Sequence, residues 1–168
     1  MTISREPSAV LDATGRYRYS LSRCWGDGLT VCWIMLNPST ADARKDDPTI
    51  RRCIGLSGWW GYGALVVVNL FALRATNPKV LRPVFGYQDE MIETIGPDND
   101  DWIEHETERA SLLVAAWGNH GVIWNRGDEV REALGVERLH HLGLTKRGQP
   151  RHPLYVRGDV KPQPWKVP

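Results

Sequence analysis

Two short apolar runs, Val31–Leu36 and Ala64–Val68, each stop at an asparagine, Asn37 and Asn69. Runs of this length, rich in Val, Ile and Leu and ended by a polar residue, read as strands buried on both faces of a parallel sheet. Between them lie a polar loop, 39–49, and a segment with helix-spaced apolar residues, so the three pieces make a βαβ unit. Strands joined by such a crossover run in one direction, and their carboxyl ends share one rim of the sheet. Ligands of open α/β sheets bind beyond that rim. Asn37 and Asn69 therefore meet where a fold of this kind carries function.

The flanking sequence supplies the rest of the sheet. Arg16–Arg23 alternates charged with aromatic or apolar residues and reads as a half-buried edge strand. Trp25-Gly-Asp-Gly28 reads as a hairpin turn, which makes Leu29–Leu36 antiparallel to that first strand. Asp47 and Pro48 are an N-cap and first-turn pair for a helix whose inner face carries Ile50, Cys53, Ile54 and Ser57 and which ends among the glycines at 58–63. Pro78 opens a short helix, and 83–97 reads as a variable loop. A helix follows from Pro97 to Arg109, with acidic residues in its first turn. Leu112–Trp117 is a third buried strand, Gly121–Leu134 a helix weakened by Gly127, Glu137–Leu142 a short strand, and the tail from Pro162 extended or frayed. This alternation predicts one domain over 1–168, a three-layer α/β/α arrangement with a mostly parallel central sheet and an N-terminal antiparallel hairpin, residues 1–15 and 160–168 being peripheral.

With 168 residues the chain can bury one full core. A net charge of +1 demands neither nucleic acid nor membrane, so a nucleic-acid partner would need a local basic patch. Cys24, Cys32 and Cys53 have no CxxC spacing, which fits a reducing cytoplasm and implies neither a disulfide framework nor a metal or iron–sulfur cofactor. The polar N-terminus carries no secretory-signal pattern, and no apolar run is long enough to span a bilayer.

The polar residues at strand ends are the candidates for chemistry: Asn37, Asp46 and Asp47, Asn69, Asn119 with His120, and His152. A carboxamide offers donors and an acceptor, so it reads a nucleobase edge or positions a water. A neutral histidine donates to a developing oxyanion. Each also has a plain structural role: Asn37 as a turn former before Pro38, Asn69 and Asp47 as caps, and the histidines as rim residues. Their coincidence at one end of the sheet is what favours a site. No Walker loop, GxGxxG, HExxH or GxSxG motif is present.

Four of these segments, in order, resemble the uracil-DNA glycosylase superfamily. Leu36-Asn37-Pro38 resembles its first motif, a strand ending in Asp-Pro or Asn-Pro. Val66-Val67-Val68-Asn69-Leu70-Phe71 resembles the strand whose terminal Asn reads the uracil edge. Trp117-Gly118-Asn119-His120 resembles a Trp-Gly-Ser-His segment, and His140-His141 followed by His152-Pro153 resembles the last strand and its His-Pro motif. Closer still, Met35-Leu36-Asn37-Pro38-Ser39-Thr40-Ala41-Asp42 with Asp46-Asp47-Pro48-Thr49-Ile50-Arg51-Arg52-Cys53 is similar to a family of small bacterial and phage proteins of unknown function.

The first resemblance implies a base-sized pocket and N-glycosidic cleavage of an extruded nucleotide. Asn37 would position the attacking water and His152 would stabilise the departing base anion. Asn69 would bind the base, with Asp46, Asp47, Ile50 and Ser39 around it. Ile50 stands near the place of the family's stacking aromatic, for which Trp59 or Phe71 are substitutes. Arg44, Lys45, Arg51, Arg52, Arg74, Asn119, His120, Lys146, Arg147 and Arg151 would contact nucleic acid, most simply DNA. After Pro153 the chain reads Leu-Tyr-Val-Arg, unlike the family's DNA-pinching loop, and the Asp46-Asp47 pair has no counterpart. The same pocket suits a non-catalytic nucleotide or nucleic-acid binder, or a hydrolase of free nucleosides or nucleotides.

Overall fold

The computed structural model describes residues 6–166; the outermost parts of both peripheral segments, 1–5 and 167–168, lie outside them. Seven strands form one sheet: β1 (Ser8–Leu11), β2 (Arg18–Cys24), β3 (Thr30–Met35), β4 (Ala64–Asn69), β5 (Leu112–Ala115), β6 (Leu139–His141) and β7 (Gln163–Pro164). Their order is β1-β2-β4-β3-β5-β6-β7. The pairings β4–β3, β3–β5 and β5–β6 are parallel and β1–β2, β2–β4 and β6–β7 antiparallel, so the sheet is mixed rather than mostly parallel.

The hairpin expected between Arg16–Arg23 and Leu29–Leu36 does not form. β4 inserts between those two strands, pairing antiparallel with β2 and parallel with β3. Gly63 at the start of β4 makes the insertion possible, because a Cβ there would stand 2.6 Å from the Gly26 carbonyl oxygen. The N-terminal hairpin joins β1 to β2 instead, so β2 is an inner strand and not an edge.

Helix α1 (Pro48–Trp59) covers one face of the sheet; α3 (Asn99–Arg109) and α4 (Arg126–Leu134) cover the other, giving three layers. Alternate residues of each central strand feed the two cores: Val31, Trp33 and Met35 meet Ile50, Cys53 and Leu56 of α1, whereas Cys32 and Ile34 share a core with Ile103, Val130 and Leu134. That double burial is why these strands read as continuous apolar runs. Asp47 caps α1, its Oδ1 accepting from Ile50 N at 2.8 Å, and Pro48 follows at N1; such a cap contributes about 1 kcal/mol.

Three further expectations are corrected. Residues within 83–97 form a second helix, α2 (Gln88–Ile95). The expected helix 121–134 breaks at Trp124 and Asn125, both at positive φ, so a 3₁₀ segment precedes α4. The tail is not frayed over its described residues: β7 pairs with β6, Trp165 N donates to Leu139 O at 2.8 Å, and the Trp165 indole is buried against Trp117 and His141. Among the described residues no helix is long and apolar enough to cross a membrane.

Candidate functional site

A cavity of about 640 Å³ opens at the carboxyl ends of β3, β4, β5 and β6. Strand order reverses there: the chain leaves β3 toward β4 on one side and later returns to β5 on the other. Asn37, Ser39, Asp47, Ile50, Asn69, Asn119, His120, Arg151 and His152 all line it. Met35 and Asn69 are register partners, and Leu70 N and Phe71 N donate to the carbonyls of Met35 and Leu36 at 2.9 Å each. The parallel ladder is therefore what carries Asn37 and Asn69 to the same wall.

Asn69 is 1 % exposed, and neither its Nδ2 nor its Oδ1 has a hydrogen-bond partner among the described residues. A buried amide left this way is costly unless something else satisfies it. Its backbone is fixed from behind. The Asn99 side-chain amide donates to Asn69 O at 2.9 Å and Leu70 O at 3.1 Å, and Arg126 Nε donates to Leu70 O at 2.9 Å. Arg126 is itself buried and held by the carboxylates of Asp100 and Glu129.

Asn37 is locked differently. Its Nδ2 donates to Ala75 O at 2.8 Å and Pro38 O at 3.1 Å, which leaves Oδ1 as the atom of the side chain suited to orient a ligand or water. His152 Nδ1 accepts from Leu154 N at 3.2 Å, so in the neutral ring the proton sits on Nε2. Burial pushes the His152 pKa below its ordinary value, opposed by the charge of Asp47, so the neutral form prevails at neutral pH. The ring is thus a neutral N–H donor. Arg52 of α1 holds the segment behind it, donating to the carbonyls of Pro153 and Val156.

Other lining residues have no counterpart among the expected ones: Arg18, Thr49, Thr76, Trp117, Thr145 and Tyr155. Arg18 was hidden because a charged residue opening an apparent edge strand reads as solvated, whereas here it is 2 % exposed. Trp117 stands in a slot made by two glycines; a Cβ on Gly121 would fall 2.1 Å from Trp117 Cδ1 and one on Gly127 2.9 Å from Trp117 Nε1. Gly127 is therefore a packing requirement rather than a weakness of α4. Trp117 and Tyr155 are the aromatics at the cavity; Trp59 is exposed and Phe71 fully buried, and neither lines it. Asn119 is oriented by Thr145, whose Oγ1 donates to Asn119 Oδ1 at 2.7 Å.

Several expected residues stand elsewhere. Asp46 does not line the cavity: its carboxylate pairs with the buried Arg23 at 2.8 Å. Arg44 and Lys45 are exposed on the loop, where their backbone N–H groups donate to Asp42 Oδ1. Arg51 is exposed and donates to Asp46 O at 3.0 Å. Lys146 and Arg147 are exposed on a turn closed by Gly148 N to Thr145 O. Arg74 lines a shallow neighbouring groove of about 400 Å³ with Arg16; Ser39, Ala75 and Thr76 belong to both groove and cavity. Among the described residues no group of three or more His, Cys, Asp or Glu side chains is placed to hold a metal ion.

No curated protein and no solved structure matches the chain. A family model described as "Protein of unknown function (DUF1643)" matches residues 18–154, from Arg18 at the cavity floor to Leu154 just beyond His152, and the chain belongs to that family.

Proposed function

We propose that this protein is a uracil-DNA-glycosylase-like hydrolase that cleaves the N-glycosidic bond of a modified or unusual base in nucleic acid, with DNA as the favoured substrate. The observation that carries this reading is the Asn69 amide, buried in the cavity wall with both polar atoms unpartnered. One donor and one acceptor side by side match the edge of a nucleobase, which presents the same pair in reverse. Asn37 Oδ1 orients a water toward the sugar carbon. That carbon–nitrogen bond breaks, its electron pair stays on the base, and the neutral His152 Nε2–H donates to the anion so formed. The water oxygen ends on the sugar, and its proton passes to solvent as the base is released and protonated. Tyr155 offers a face for the ring. The Arg16–Arg74 groove, continuous with the cavity mouth, supplies positive charge for the flanking phosphates. A reducing cytoplasm suits the free thiols of Cys24, Cys32 and Cys53.

The test is base release from single- and double-stranded oligonucleotides carrying uracil, hypoxanthine or hypermodified pyrimidines, followed by mass spectrometry. Release that Asn37→Ala and His152→Ala both abolish is the expected result. Binding that weakens with salt but releases no base would replace the hydrolase with a binding module.

A further inference from the structure

The base-binding reading leaves Arg18 unexplained. Arg18 is 2 % exposed and lines the cavity together with Asn69, Val67 and Met35. Nη1 donates to Ala41 O at 2.7 Å, while Nε has no hydrogen-bond partner among the described residues. No described carboxylate lies within ion-pair distance of it, and Asp46 is taken by Arg23. Burial lowers the Arg18 pKa to about 10, opposed chiefly by the charge of Asp47, so the group remains a cation at neutral pH. A neutral donor would hold the Ala41 carbonyl equally well. A buried cation without an adjacent anion is costly and calls for one.

Resting on the reading of Asn69 as the base-edge reader, we propose that Arg18 is an anion subsite and that the ligand is a nucleobase-sized ring bearing a carboxylate. The Nε–Nη2 edge of a guanidinium matches a carboxylate with two parallel hydrogen bonds. One buried guanidinium balances a monoanion, whereas a phosphate would bring up to two negative charges to a wall it shares with Asp47. The neighbouring residues Val67, Met35 and Ile50 are apolar, which suits a flat ring between the two polar contacts.

The test compares the affinity of the full chain for uracil, uracil-5-carboxylate, uracil-6-carboxylate and inorganic phosphate by calorimetry, in wild type, Arg18→Gln, Arg18→Lys and Asn69→Ala. The wild type is expected to favour at least one acid over uracil by about tenfold or more, the usual effect of a charge-assisted hydrogen bond. Arg18→Gln should abolish the preference, Arg18→Lys should keep part of it, and Asn69→Ala should weaken acid and uracil alike. Equal affinity of wild type for uracil and both acids overturns the anion subsite and leaves base recognition standing; so does a preference that survives Arg18→Gln. Phosphate binding stronger than either acid, lost in Arg18→Gln, would replace the carboxylate with a phosphate. An Arg18-dependent acid preference without base release from any oligonucleotide supports the subsite and removes the hydrolase. No binding of any probe overturns both.

Discussion

Asn99 holds Asn69 in place from outside the cavity: one buried amide donates to the backbone carbonyls of Asn69 and Leu70, and it does so from the first turn of α3. The helix that begins there is thereby coupled to the strand end that forms the cavity wall. Asn99→Leu removes the side-chain donor to Asn69 O and leaves Leu70 O with Arg126 Nε alone. We expect a loss of about 1–3 kcal/mol in urea unfolding. An unchanged midpoint would show that Arg126 alone fixes the turn.

Asn69 should behave in the opposite way. Its side chain makes no hydrogen bond that folding could lose. Replacing such a group with an apolar one of similar size is neutral or stabilising. Asn69→Leu is expected to keep or raise the melting temperature while abolishing binding of pyrimidine ligands. A fall of more than a few degrees would assign Asn69 a structural role instead.

The pH dependence follows from His152 and His141, both of which burial holds below the ordinary histidine pKa. Between that lowered value and about 6.5 the unfolded chain binds protons that the folded chain does not. Stability should therefore be flat above pH 6.5 and fall on acidification below it. Melting temperatures from pH 8 to 5 check this, and His152→Gln should reduce the slope. Base release should hold through this window and change only at lower pH, where the folded His152 takes up a proton and Nδ1 no longer accepts from Leu154 N.

Two glycines test the packing around the cavity. Gly121→Ala pushes a methyl into Trp117 and should cost about 1–3 kcal/mol while perturbing ligand affinity. Gly55 lies exposed within α1 with open space around its Cα, so Gly55→Ala should stabilise by about 1 kcal/mol. Equal effects at the two positions would argue against the Trp117 slot.

The central unit was legible from local chemistry. Val31–Leu36 and Ala64–Val68 had to be buried strands, Asp47-Pro48 had to start a helix, and Asn37 and Asn69 had to share a rim, because parallel connection fixes direction. Hydrophobic periodicity and capping are local properties, and they are written in the chain. Strand order is not. Nothing in Trp25-Gly-Asp-Gly28 says that β4 will enter between β2 and β3; the close approach of Gly63 to Gly26, nearly forty positions away, decides it.

That non-local pairing settles the site's membership. It makes β2 an inner strand between β1 and β4, with Arg18 and Arg23, which the sequence presents as solvated charges, buried. Arg23 then takes Asp46 away from the cavity, and Arg18 enters it. Likewise Trp165 is a core residue only because β7 finds the free edge of β6. Local sequence determined the central strand–helix–strand unit and which asparagines meet. The tertiary structure alone decided which charges are buried and which are paired, because a charge's surroundings are set by chain segments far from it in sequence.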